Sequence, residues 1–106
     1  MNKVELVGTI QDKTMSGKQS YVWNPAIEGK PALFVFNMEI SNGRNVERVR
    51  CVARGINAEL LNADLGRYAH IHGSVGTVKL GLNYQQQVFV SSIQGRAEQA
   101  ESHPSA

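Results

Sequence analysis

Val46-Glu47-Arg48-Val49-Arg50-Cys51-Val52-Ala53-Arg54-Gly55, running straight into Ile56-Asn57-Ala58-Glu59-Leu60-Leu61, is the stretch whose reading decides the fold. Strand side chains alternate between two faces, so Val49, Cys51 and Ala53 fall on one side and Arg48, Arg50 and Arg54 on the other. One face suits a core and the other is a basic stripe, with Val52 interrupting the stripe and Glu47 standing among the apolar set. Gly55 marks a change of direction. Beyond it Ile56, Leu60, Leu61 and Leu65 recur at helical spacing, with Asn57 as N-cap or first-turn residue and Gly66 as a stop. A strand followed by a short helix over 56–65 is the expectation.

On the near side, Leu33 to Ile40 reads as a strand with Phe34, Phe36, Met38 and Ile40 inward and Val35, Asn37 and Glu39 outward. Ser41-Asn42-Gly43-Arg44 joins it to the arginine strand, since an Asn-Gly pair tolerates the positive φ of a tight hairpin. Residues 2 to 10 form a first strand, Val4, Leu6, Gly8 and Ile10 sharing a face, and Gly8 on that face predicts a bend or a close backbone approach. Between the first two strands, residues 11–32 are a long polar connection punctuated by Gly17, Pro25, Gly29 and Pro31. Such loops are functional or mobile. Tyr21 and Trp23 stand two residues apart within it, placed either to cap a barrel end or to offer ring faces.

On the far side, residues 70–80 alternate as a fourth strand, Gly81-Leu82-Asn83-Tyr84 turns it, and Gln85 to Ile93 is a fifth, its phase placing Phe89 inward with Phe34 and Phe36. The expectation is therefore all-β: five strands with one short helix between the third and fourth. That order is the oligonucleotide/oligosaccharide-binding (OB) barrel, whose ligand face uses strands two and three and the loops joining strands one to two and four to five. A single domain over 1–94 and a disordered tail over 95–106, rich in Ala, Gln, Ser and Glu, complete the organisation.

Composition bounds the function. A chain of 106 residues supports one modest core, and 42% hydrophobic with 19% charged residues fits a soluble globular domain. No apolar run approaches a membrane span, and Met1-Asn2-Lys3-Val4 leads directly into strand alternation without the apolar segment of a secretory signal, so a cytoplasmic location is expected. Cys51 is the one cysteine, which excludes an intrachain disulfide and a cysteine zinc set. His70 and His72 share a strand face, but no third metal ligand stands near them in sequence, so neither metal nor cofactor is expected. Asp12, Glu28, Glu39 and Glu47 lack the spacing of acid/base catalysis, and phosphate-loop and nucleophile-elbow motifs are missing. Nothing in the spacing argues for an enzyme, and no catalytic residue is assigned.

A net charge of +2 announces no partner by itself; its distribution matters more. Arginine on a strand can be merely a solvated face, yet its planar donor fork suits phosphate oxygens and stacks on rings. Single-stranded nucleic acid needs a basic groove and a few ring faces. Arg48, Arg50, Arg54, Arg44, Lys18 and Lys79 supply the first, and Tyr21, Trp23 and Tyr84 the second.

Met1-Asn2-Lys3-Val4-Glu5-Leu6-Val7-Gly8, the segment Glu47 to Glu59 with Arg50-x-Val52 and Gly55-x-x-Ala58-Glu59, Leu65-Gly66 and Ile71-His72-Gly73-Ser74-Val75 resemble bacterial single-stranded DNA-binding proteins, in order over residues 1 to 94. The resemblance implies an OB barrel that assembles as a homo-oligomer, dimer or tetramer, and holds single-stranded DNA in replication, recombination and repair, with Arg50 on a basic position of the family pattern. It also marks departures. Arg48, Arg54 and Leu80 stand where the family carries stacking aromatics, and the chain closes on Ser102-His103-Pro104-Ser105-Ala106 rather than on the acidic tip that recruits replication or repair proteins. Basic residues in place of aromatics look like the primosomal replication protein N branch, or a plasmid, phage or organellar-type paralogue. Two functions are consistent with these residues: single-stranded DNA binding through the arginine face, or a protein-interaction module of the primosome kind with weak or no DNA binding.

Overall fold

The computed structural model describes residues 3–96. In chain order they form β1 (Lys3–Ile10), β2 (Val22–Asn24), β3 (Leu33–Asn42), β4 (Asn45–Arg54), α1 (Ile56–Asn62), β5 (Tyr68–Leu80) and β6 (Asn83–Arg96). The strands run β1-β5-β6-β4-β3 around a barrel that closes where β1 returns to β3, and β2 adds to the outer edge of β3. One helix separates β4 from β5. This is the OB fold.

The hairpins form where turn chemistry predicts. β3 and β4 pair from Leu33↔Arg54 to Asn42↔Asn45 across Gly43-Arg44, and β5 and β6 pair out to Leu80↔Asn83 across Gly81-Leu82. Closure is made by shorter contacts: Thr9↔Glu39 and Ile10↔Met38 join β1 to β3, and the parallel pairs Cys51↔Val88 and Val52↔Phe89 join β4 to β6. Gly8 lies at the first of these seams. A Cβ added there would come within 2.3 Å of the Glu39 carbonyl oxygen, so β1 reaches β3 only because this position has no side chain.

Alternation along β3 fills the barrel. Phe34, Phe36 and Met38 are fully buried, and they meet Ile10, Cys51, Leu61 and Ile71 in one cluster. Phe34 and Phe36 stack at 4.6 Å between centroids, and burying a side chain of this size contributes about 1.5–3 kcal/mol. Burial also pushes the Cys51 thiol up to about 12, with the neighbouring Arg50 charge opposing only part of that shift.

Three expectations change. Trp23 is not in an open loop: Val22–Asn24 pairs with Val35–Leu33, Tyr21 immediately precedes that strand, and both rings turn inward, edge-on to Phe34 at 5.8 and 6.1 Å. Three residues are too few for periodicity to reveal a strand whose existence depends on its partner. The helix stops at Asn62 rather than 65, because the Asp64 N–H donates to the Leu61 carbonyl and the Arg67 N–H to that of Asp64, tightening the chain into turns. Gly55 is its N-cap, and Asn57 takes the other of its two expected places, in the first turn, where its amide donates to the Ser91 carbonyl at 3.3 Å. Lastly, β6 runs from Asn83 to Arg96, so Tyr84 lies in the strand rather than the turn, and the strand passes the expected domain end at 94. Arg96 makes two hydrogen bonds, of 2.6 and 3.2 Å, to the buried Asp64 carboxylate. The rest of the expected tail, 97–106, lies outside the described residues.

Candidate nucleic-acid interface

Register fixes which side chains share the outer surface, because directly paired residues point to the same side of a sheet. Val22, Val35, Val52, Phe89 and Ser74 are successive partners across β2, β3, β4, β6 and β5. This row is apolar until its last member. On one side of it runs the pair Asn37–Arg50, followed by Glu39–Arg48; on the other lies Leu33–Arg54. Val52, which broke the arginine alternation in the sequence, is thus the centre of an apolar ridge flanked by Arg50 and Arg54; it is itself only 7% exposed, so the accessible surface of the ridge comes from Val22, Val35 and Phe89.

Phe89 is the residue that sequence reasoning misplaced. Val88-Phe89-Val90 is a continuous apolar run with no phase of its own, and the parallel pairing to β4 sends Val88 into the core and Phe89 outward. Its half-buried ring lies over Gly76 of β5, where an added Cβ would come within 2.6 Å of a ring carbon. The space above Gly76 therefore seats an aromatic on the arginine face.

The arginines differ in what they already hold. Arg48 Nη2 lies 3.1 Å from Glu39 Oε2, a pair with side chains 44% and 28% exposed. Arg50 is half-buried and donates through Nη1 to Asn37 Oδ1 at 3.4 Å and to the Ser20 carbonyl at 3.5 Å, long contacts to neutral acceptors that orient its charge without cancelling it. Arg48 and Arg50 line a cleft of about 290 Å³ whose other wall is Gln85, Gln86 and Gln87 of β6. The cleft exists because β4 and β6 pair only at 51–52 with 88–89, leaving the outer parts of the two hairpins unpaired with each other. Arg54 is exposed and borders a second hollow, of about 480 Å³, with Lys30, Pro25, Ile27 and Leu33.

The other sequence-predicted residues separate. Arg44 is exposed at the tip of the β3–β4 hairpin. Lys79 and Tyr84 are cross-strand partners near the tip of the β5–β6 hairpin, with the Lys79 ammonium 6.0 Å from the Tyr84 ring centroid, the outer limit of a cation–π contact. Lys18 is exposed in the turn closed by the Lys13–Gln19 bridge. Tyr21 and Trp23 leave the set of free ring faces, because their contacts with Phe34 attach them to the core.

A second polar cluster lies on the outer surface of β1 and β5. Glu5 is directly opposite His72, and His70 stands two residues along the same strand. Hydrogen bonds from the His72 and His70 rings hold the Glu5 carboxyl below the usual carboxylate range. In sequence the two histidines lack a third ligand-bearing neighbour; the fold supplies one from 65 residues away.

No protein-family model matches the sequence, and no curated protein is similar to it. Among solved structures, the crystal structure of the SSB domain of a protein from Synechococcus sp. superposes with a TM-score of 0.63 at 14% identity, covering 90% of this chain and 96% of that one. At that identity the likeness is one of fold: the two chains share the OB barrel.

Proposed function

We propose that the protein binds single-stranded DNA non-enzymatically, along the outer face of β3, β4 and β6. The observation that carries this reading is the Val22–Val35–Val52–Phe89 ridge with Arg50 on one flank and Arg54 on the other. Bases stack on apolar and aromatic surface while cations beside it neutralise phosphates. Arg44 and Lys79, at the two hairpin tips, extend the basic margin. The likeness to an SSB domain supports this general reading rather than the primosomal replication protein N branch, and with it a cytoplasmic role in replication, recombination or repair. No helix among the described residues is long and apolar enough to cross a membrane.

Self-association accompanies the proposal. β1 pairs with β5 from Lys3 to Thr9 but with β3 only at Thr9 and Ile10, with Gly8 at the start of that seam, so its second edge over 3–7 has no strand beside it among the described residues. Open edges are usually paired or covered, and an edge-to-edge homo-oligomer covers this one. Light scattering at tens of micromolar should give at least a dimer mass; a monomer mass contradicts the assembly.

Fluorescence titration of labelled oligo(dT) in low salt, repeated as salt rises, tests the function. Saturable binding that weakens steeply with salt is the expected result. The competing reading, a barrel that docks on a replication protein and has lost DNA binding, draws on the neutralised Arg48–Glu39 pair, and absence of binding at low salt decides for it.

A further inference from the structure

We propose that Glu5, His70 and His72 form a binding site for a divalent transition-metal ion of the zinc type, on the outer face of the β1–β5 pair. Both imidazoles present the same atom to the same oxygen: His70 Nε2 is 2.5 Å and His72 Nε2 3.2 Å from Glu5 Oε2. The three potential ligand atoms all lie within 4.8 Å of one another. Zinc bonds to histidine nitrogen and carboxylate oxygen are about 2.0–2.2 Å in a tetrahedral site, which sets neighbouring ligand atoms about 3.3–3.5 Å apart. The two separations from Glu5, 2.5 and 3.2 Å, are shorter than that and the third pair lies within 4.8 Å, so rotations of the side chains that open the cluster by about an ångström make room for the ion.

The backbone holds the arrangement. Glu5 faces His72 in direct register, His70 follows at the next outward position, and the pair is embedded in a β1–β5 ladder running from Lys3↔Ser74 to Thr9↔Tyr68. On the far side of β5, Ser91 Oγ donates to the His72 carbonyl at 3.1 Å, beside a register shift between His72 and Gly73. Ligands on adjacent paired strands are more tightly positioned than ligands on loops.

Access and ligand type point the same way. The side chains of His70, His72 and Glu5 are 28%, 43% and 58% exposed, so an ion reaches them from solvent. Glu5 and His72 also border a hollow of about 580 Å³ that leaves room for water as a further ligand. Two imidazoles and one carboxylate favour zinc, cobalt, nickel or copper over magnesium or calcium, which prefer all-oxygen sets. Lys3, outward on the same strand, is the nearby cation that opposes binding. A bound ion would join β1 to β5 by side chains in addition to the ladder.

The test uses the full chain without an affinity tag. Cobalt(II) titration followed by visible absorption, with zinc added to displace it, should give one ion per chain and a four-coordinate spectrum. His70→Ala, His72→Gln and Glu5→Gln should each weaken binding by more than about 100-fold, the upper end of what losing a mere supporting partner costs. His103→Ala should leave it unchanged. Saturating zinc should raise the melting temperature by at least about 5 °C in the parent protein, and not in His72→Gln, whose melting without metal establishes that it folds. Failure to bind cobalt or zinc, or binding that the three substitutions leave intact, overturns the site.

Discussion

Replacing Glu39 by Gln should strengthen DNA binding, an outcome that few surface substitutions produce. Arg48 lies on the proposed track, but its guanidinium is 3.1 Å from the Glu39 carboxylate. Arg44, Arg50, Arg54 and Lys79 have no carboxylate partner among the described residues, and if each neutralises one phosphate the salt slope is about −0.7 × 4, or about −2.8. Glu39→Gln releases a fifth cation and steepens the slope to about −3.5. The added contact is worth about eightfold in affinity at 50 mM salt and about threefold at 200 mM. Stability should move little, because a pair this exposed contributes at most about 1 kcal/mol. Oligo(dT) titrations at four or five salt concentrations, with a urea melt of each protein, measure both quantities. Unchanged or weaker binding with an unchanged slope would mean that Arg48 does not face the DNA, and the outer-face track would be refuted.

Phe89→Ala should weaken binding by about 1–3 kcal/mol, one stacked base, while Tyr84→Ala should cost less, since Tyr84 is on the hairpin away from the ridge; equal effects in the same titration would remove Phe89 from its special position. Trp23→Ala should act on folding instead, lowering stability by about 3 kcal/mol, at the low end for buried aromatics because the ring is only partly covered; a normal denaturation midpoint with lost DNA binding would return Trp23 to the interface. Asp64→Ala should destabilise by about 1.5–3 kcal/mol, because it removes both charge-assisted hydrogen bonds between Arg96 and the buried carboxylate, and calorimetry reads this directly. Cys51 gives a pH dependence: its thiol, raised to about 12 in the folded chain, ionises more easily when unfolded. Its contribution is therefore fully present below the ordinary thiol range near 9 and is lost as pH rises toward 12. Thiol reagents at pH 8 should modify it at the rate of unfolding, and fast modification of native protein contradicts the burial.

What the sequence made legible was the part that depends on local pattern. The Asn42-Gly43 hairpin, the inward phases of Phe34, Phe36 and Met38, the outward arginines and the helix after Gly55 all follow from alternation, turn chemistry and spacing. What it hid depends on pairing between distant segments. Phe89 faces outward because β6 meets β4 in one parallel register, Trp23 packs inward because β2 finds β3, and Glu5 reaches the histidines because β1 runs beside β5. None of these contacts leaves a periodic trace in either partner alone.

The order in which the strands find partners has a cost during synthesis. β3 and β4 meet across a two-residue turn and can zip as soon as both exist, but Lys3–Ile10 must wait for Tyr68–Ser74 before most of its ladder can form. Pairings this distant in sequence close slowly. In the interval Val4, Leu6 and Ile10 are exposed on a strand with both edges open, the species most exposed to other nascent chains. Lys3 and Glu5, alternating with those apolar residues, place a charge at every second position of its first half and so discourage like-to-like stacking. Removing those charges, by Lys3→Val with Glu5→Val, should therefore lower the soluble yield from cells far more than the stability of the protein that does fold.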